Sequence, residues 1–236
     1  MNIKFKKFGL TFNDKWNHKD INFFDLFKFT SYKGHNNFST SLPFLKKQKR
    51  SIVNYLSFDE DTLWSNVRKN TRNEINKIKK EDIKYSINNV SLHEFINLYN
   101  EFIDFKNLSL TQLSEKRLEK YNNNILLTST EISGKWQSIH VYLIIDKYSE
   151  LLYSITNHNA DHKTTGMANR FHHWNDLIHF KNHDYEAYDW GGIAFGDMDG
   201  IAKFKLSFGG EEIISNIYFS PLYYLTLLIR EKPWKK

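Results

Sequence analysis

Between residues 83 and 229 the apolar residues switch repeatedly between two spacings, and the order of the switches leaves few architectures open. Alternation puts one face of a strand on a core, whereas spacings of three and four put a stripe on one side of a helix. Ile83 to Asn88 reads as a strand, 92–106 and 111–123 as helices, and 125–132, 136–146 and 151–157 as three successive strands with short turns. A helix over 168–182 follows, with Phe171, Trp174, Leu177 and Ile178 on its apolar side. A strand through Tyr188, a short helix over 201–207 and strands at 212–219 and 222–229 complete the series. The order β α α β β β α β α β β implies an α/β chain with a mixed central sheet and helices packed on it.

Residues 1–58 hold short β-like runs rich in Phe and Tyr, notably I-K-F-K-K-F-G-L-T-F and S-I-V-N-Y-L-S-F, broken by polar clusters around Asn13 and Asn36. Over 62–80, Trp64, Val67, Thr71, Ile75 and Ile78 recur at helical spacing, with Asp59, Asp61 or Thr62 available as the N-cap. The expected organisation is therefore 1–80, strands plus a basic helix, and 81–236, the regular α/β part. Charge divides along the same line. Residues 1–80 carry 17 Lys and Arg against 7 Asp and Glu, and 81–236 carry 16 against 20, which gives +10 and −4. A basic N-terminal part suits an anionic partner such as a nucleotide, a diphosphate or RNA.

With no cysteine among 236 residues, disulfides, thiolate metal sites and a cysteine nucleophile are excluded, as in a reducing compartment. The N-terminal M-N-I-K-F-K-K-F lacks the apolar core of a signal peptide, and no stretch approaches the roughly 18 apolar residues of a membrane span. The expectation is a cytoplasmic protein without a membrane partner.

Seven of the ten glycines and five of the ten histidines fall between 162 and 210, so close backbone approach and titratable chemistry are concentrated there. Four pieces of sequence then carry a family resemblance. They are L-W-x-x-V-R-K-N-T-R-N-x-I from Leu63 to Ile75, A-N-R-F-H-H-W from Ala168, Y-D-W-G-G from Tyr188, and F-K-x-x-F-G-G from Phe204 to Gly210. In this order, over about 150 residues, they resemble the GNAT acyltransferase superfamily, and in detail its FemAB-like branch. Those enzymes usually carry two GNAT units, and the ones fed by aminoacyl-tRNA often bear a helical arm. This chain has room for one unit, 81–236, behind a β-rich extension that could be a truncated unit.

The resemblance implies acyl transfer from a thioester to an amine. Lys163, Thr164, Thr165, Gly166, Met167 and Ala168 would form the coenzyme A loop, whose backbone N–H groups cradle the pyrophosphate at a helix start. The fourth GNAT strand, Leu151 to Asn157, would supply a backbone N–H for the oxyanion where it splays from the fifth, Glu186 to Gly192. Asp189 and His158, at the ends of those strands, are the candidate bases, with Asn157 beside them. Asp189 could instead orient a loop or bind the acceptor. Lys205 would bind the acceptor or stabilise charge. Arg68 and Arg72 would hold a diphosphate, and Tyr188, Trp190, Gly191, Gly192, His173 and Phe204 would line the acceptor side. No metal is expected: His158 and His162 lie four apart on a loop, and the adjacent His172 and His173 point apart on a helix.

The expected function is N-acylation, by acetyl- or 3-hydroxyacyl-CoA, of a nucleotide-linked amino sugar such as a dTDP-3-amino-3,6-dideoxyhexose, for surface polysaccharide (lipopolysaccharide O-antigen or capsule). Two rivals stand beside it. One is aminoacyl transfer from tRNA to a peptidoglycan precursor, and the other is a non-catalytic module that binds nucleic acid or glycan.

Overall fold

The computed structural model describes residues 1–7, 9–34, 40–108, 110–193 and 200–231, with the backbone alone for Asn122, Arg230 and Glu231. Phe8, the polar cluster at Asn36 and Gly196 lie outside the described residues. In chain order the elements are β1 (Asn2–Lys7), β2 (Leu10–Trp16), a 3-10 turn (Phe23–Phe27), β3 (Phe29–Lys33), β4 (Leu45–Tyr55), α1 (Glu60–Asn66), α2 (Lys69–Ile78), β5 (Ile83–Ile87), α3 (Leu92–Phe105) and α4 (Glu115–Leu118). A second 3-10 turn (Glu119–Asn124) leads to β6 (Ile125–Ile132), β7 (Lys135–Ile145), β8 (Tyr148–Thr156), α5 (His162–Asn182), β9 (Ala187–Gly192), α6 (Gly200–Leu206), β10 (Glu211–Phe219) and α7 (Pro221–Glu231). This is the mixed α/β chain that the alternating periods imply.

The chain forms two compact units, Met1–Ser51 with Ile213–Lys236, and Ile52–Glu212. The division falls elsewhere than the 80/81 boundary read from the sequence. Leu63, Val67, Ile75 and Ile78 belong to one buried cluster with Phe171, Trp174, Leu177 and Phe180, which ties α1 and α2 to the second unit. Charge is split more sharply by this division: the first unit holds 15 Lys and Arg against 4 Asp and Glu, the second 18 against 23, or +11 and −5.

In the first unit, β1 and β2 form an antiparallel hairpin, β3 runs parallel to β2, and β10 pairs antiparallel with β3. Phe12, Phe219 and Tyr223 make one small core, and Leu26, Tyr32, Phe44 and Tyr218 another. Two buried carboxylates lock the loops. Asp14 accepts from Ser31 Oγ at 2.6 Å and Lys33 Nζ at 2.7 Å, and Asp25 accepts from Tyr32 Oη at 2.6 Å and pairs with Lys15 Nζ at 2.6 Å.

In the second unit β5, β6, β7 and β8 are successive antiparallel neighbours, and β9 joins β8 in parallel. Both faces are covered, which is why β7 is buried almost throughout. Ile139 and Val141 pack with Phe95, Ile96, Tyr99 and Ile103 of α3. Their alternates, Ser138, His140 and Tyr142, face α5, which puts polar groups in the core on that side.

Four elements depart from expectation, each for a local reason. The segment 222–229 is helix, not strand: Pro221 suits a first helical turn, and Ser220 Oγ accepts the Tyr223 N–H at 3.2 Å, overriding the aromatic bias. Within 111–123 the α-helix covers only Glu115–Leu118, because the Asn100 side chain holds both backbone polar groups of Leu113 and keeps them out of a helix. The helix over 62–80 is broken at Val67 and Arg68, where the Arg68 N–H donates to Ser207 O at 2.8 Å. Finally, the helix expected from 168 starts at His162, with Asp161 as its N-cap.

Candidate active site

The strands β8 and β9 pair only through Tyr148–Ala187, Ser149–Tyr188 and Glu150–Asp189. On its other side β8 is bulged: Val141 faces Tyr153 and Tyr142 faces Leu151, so Leu152 has no partner in the register. Where the parallel pairing stops, Gly191 takes φ +73°, and a Cβ there would come 2.6 Å from Leu151 O. Only glycine fits. The Asp189 carboxylate, fully buried, accepts the Gly191 N–H at 2.8 Å. This contact holds the turn at the end of β9.

The motif pieces meet at the same end of β9. Lys205 Nζ donates to Trp190 O at 2.7 Å and Gly192 O at 3.2 Å. Trp190 Nε1 donates to Asn54 Oδ1, and Asn54 Nδ2 to Phe208 O. Gly209, at φ +80°, lies so close to Asn66 that a Cβ would sit 2.8 Å from its carbonyl oxygen. The F-K-x-x-F-G-G segment is thus wedged between β9 and the end of α1.

Beside it opens a cavity of about 490 Å³ whose cations come from three helices: Arg68 and Lys69 at the start of α2, Arg170 on α5, and Lys203 on α6. Thr71 and Phe204 line it as well. Among the described residues no side chain caps the start of α2, and the helix dipole adds partial positive charge there. Arg170 is partly neutralised by Glu74, at 2.7 Å from its Nε. The cavity suits a phosphate-bearing group.

A second cavity, about 760 Å³, lies at the start of α5 and is lined by Trp136, Gln137, Asn157, Asp161 and Thr164. This is where the resemblance puts the pyrophosphate, and the local chemistry differs from that expectation. Lys163 to Ala168 are the first turns of α5 rather than a loop before it. The Asp161 carboxylate already takes the Thr164 N–H at 2.8 Å, a bond that holds it below the usual carboxylate range. Thr165, Met167 and Ala168 are buried, and a Cβ on Gly166 would meet only Arg170 Nη1, at an ordinary 3.6 Å.

The remaining expected residues divide. Arg68 lines the basic cavity, but Arg72 does not: its Nη1 donates to the carbonyls of Trp64, Ser65 and Val67 and closes the end of α1. Asn157 shapes a turn, giving Nδ2 to Trp136 O and accepting the Asn159 N–H. The His158 ring lies tilted against Phe105, centroids 4.6 Å apart, and its Nδ1 is buried without a hydrogen bond among the described residues. Gly192 is exposed at the end of β9. His173, Tyr188 and Trp190 are core, with His173 Nδ1 2.8 Å from Tyr188 Oη.

The sequence reading missed the polar network under α5. The Asp176 carboxylate takes hydrogen bonds from Tyr142 Oη at 2.6 Å and Tyr85 Oη at 3.0 Å, and lies 2.7 Å from His140 Nδ1. The rings of His172 and His173 stack on His140, at 3.6 and 4.1 Å. Burial pushes His172 and His173 well below the ordinary imidazole value, and His140 adds to the effect. Burial alone would raise Asp176, but His172 and the bonds from His140 and Tyr142 outweigh it and hold the carboxyl at about 2. His140, His172 and Asp176 offer ligand atoms within 4.8 Å of one another. Each is already taken up internally, His172 by Ser138 and Thr128 and His140 by Asn169 and Asp176. The cluster fixes α5, and with it Arg170, to the sheet.

A bulged β8, a parallel β9 that leaves it after three pairs, and a long helix crossing between them decide the architecture. The fold is FemAB- and GNAT-like. Among solved structures the chain is similar to FemX, at 11% identity and TM-score 0.59, over 77% of this chain and 64% of that one. It is similar also to L-PGS from Bacillus licheniformis (11%, TM-score 0.56, 86% of this chain and 72% of that one). The C-terminal domain of a putative lysylphosphatidylglycerol synthetase from Agrobacterium fabrum is alike too (10%, TM-score 0.55, 86% and 71%). The match spans less than two thirds of FemX. No protein-family model matches the chain, and no curated protein matches its sequence. At these identities the GNAT-like likeness is one of fold alone.

Proposed function

We propose that the protein is an N-acyltransferase whose acceptor is a phosphate-bearing amine, the best fit being a nucleotide-linked amino sugar. The observation that carries this reading is the basic cavity. Arg68, Lys69, Arg170 and Lys203 converge at the start of α2, and Lys203 is two residues along the chain from Lys205, whose Nζ reaches the end of β9. A diphosphate held there would leave the sugar amine to reach a carbonyl at the gap between β8 and β9. The amine attacks that carbonyl, a C–N bond forms, and the C–S bond of an acyl-CoA breaks, with the amine proton passing to the leaving thiolate or to solvent. Backbone N–H groups of bulged β8 and the Lys205 ammonium would stabilise the oxyanion. Acetyl- or 3-hydroxyacyl-CoA is the donor of this reading, and surface polysaccharide its destination.

One observation favours a second donor. The start of α5 is capped by the Asp161 carboxylate, which repels a pyrophosphate, so an aminoacyl-tRNA ester could stand in place of the coenzyme A thioester. The deciding assay follows thiol release from a panel of acyl-CoAs with and without nucleotide-linked amino sugars. Amine-dependent release supports the first reading. No release with any pair, together with transfer from a charged tRNA, would replace it by the second.

A further inference from the structure

The first unit carries an apolar surface that acyl transfer does not use. In the 3-10 turn, Phe23, Phe24 and Phe27 are 53%, 69% and 69% exposed, and their rings touch one another rather than a core. The turn is held rigidly from below. Asn22 Oδ1 caps the Phe24 N–H, and buried Asp25 is bonded by Tyr32 and Lys15. Helix α7 packs against this turn. It buries Tyr223 on Phe12 and Phe219 and turns Leu222, Leu225, Leu228 and Ile229 outward, the last 60% exposed. Turn and helix together present seven large apolar side chains. Scattered exposed apolar residues need no explanation, but seven on two elements that pack together do.

Charge selects the occupant. The unit that bears the patch has a net charge of +11. A second copy would bring two such units face to face, which repels, and a nucleic acid would answer the charge but not the phenylalanines. An anionic lipid surface answers both, because lysines are drawn to the headgroups while aromatic and aliphatic side chains enter the interface. We propose that the 3-10 turn Phe23–Phe27 and the outer face of α7 dock the protein on an anionic bilayer surface, as a peripheral contact.

The test is flotation of the full chain with vesicles of phosphatidylcholine alone and of phosphatidylcholine containing about one third phosphatidylglycerol. The parent should float at least about tenfold more with the anionic vesicles, and salt should weaken the binding. The triple variant Phe23→Ser, Phe24→Ser, Phe27→Ser, and separately Leu225→Ser with Ile229→Ser, should each lose most of it while keeping the parent circular dichroism spectrum. The second variant keeps the test open if the first does not fold. Absence of binding to either vesicle overturns the proposal, as does binding that both variants retain. So does a dimer in sedimentation that the variants dissociate, or RNA binding that weakens with the phenylalanines.

Discussion

Lys205 and Trp190 are joined by a 2.7 Å hydrogen bond from Nζ to the main-chain carbonyl, which sets an ammonium at the strand end where β9 leaves β8. If that charge stabilises the developing oxyanion, Lys205→Met should lower kcat about a hundredfold with little change in KM. Thermal denaturation of the variant provides the control. A kcat loss matched by a large drop in Tm would mark Lys205 as a brace for β9 instead.

Arg68 and Arg72 lie one helical turn apart and should separate cleanly. Arg68→Ala removes a cavity cation and should raise the KM of the phosphate-bearing substrate about tenfold with the fold intact. Arg72→Ala takes the guanidinium donor from the Ser65 and Val67 carbonyls, while Trp64 O keeps the Val67 N–H, and should cost about 1–3 kcal/mol of stability, read from denaturant unfolding, with KM unchanged in the protein that remains folded.

Gly166 tests the pyrophosphate reading directly. It is helical and has room for a methyl group, so Gly166→Ala should stabilise the protein by about 0.5–1 kcal/mol. A large rise in the KM for acyl-CoA in that variant would show instead that the bare backbone meets the donor. Asp161→Ala, which deletes the cap, should lower stability in the same denaturation assay.

Stability should fall on mild acidification. His172 and His173 are depressed in the folded state, so the unfolded chain takes up protons first as pH drops below the ordinary 6.5. Their stabilisation is present above that value and is lost below it, by about 1.4 kcal/mol per histidine per pH unit until the folded values are reached. Asp176 adds a second loss below pH 3.8, as the pH falls towards its folded value of about 2. Tm measured from pH 8 to 5 checks the first part, and His173→Phe should flatten the slope.

Sequence periodicity located β5 through β9 because each strand is flanked by short turns and buried on regular faces. It failed at α7, where aromatic and branched residues imitate a strand and the deciding groups, Ser220 and Pro221, sit just outside the run. The motif carrying Lys205 was legible because its glycines answer to close approaches, as Gly209 does to Asn66. Arg72 was not, since nothing in its spacing says that its guanidinium folds back on carbonyls up to eight residues earlier. The network around Asp176 left one trace: Ser138, His140 and Tyr142 alternating with the apolar Ile139 and Val141. That trace pointed inward, to a face that a helix also covers.

The first unit is made from both ends of the chain. Thr30 and Lys28 bond to Ser220, and Asp14 to Tyr223, across about two hundred residues, and β3 has β10 as a neighbour. On the ribosome its first fifty residues must therefore wait, exposed, until the last strand and helix emerge, while the middle of the chain can settle as soon as it is made. A chaperone dependence of residues 1–51 during synthesis, and a steep sensitivity of that segment to removal of β10 and α7, follow from the same closure.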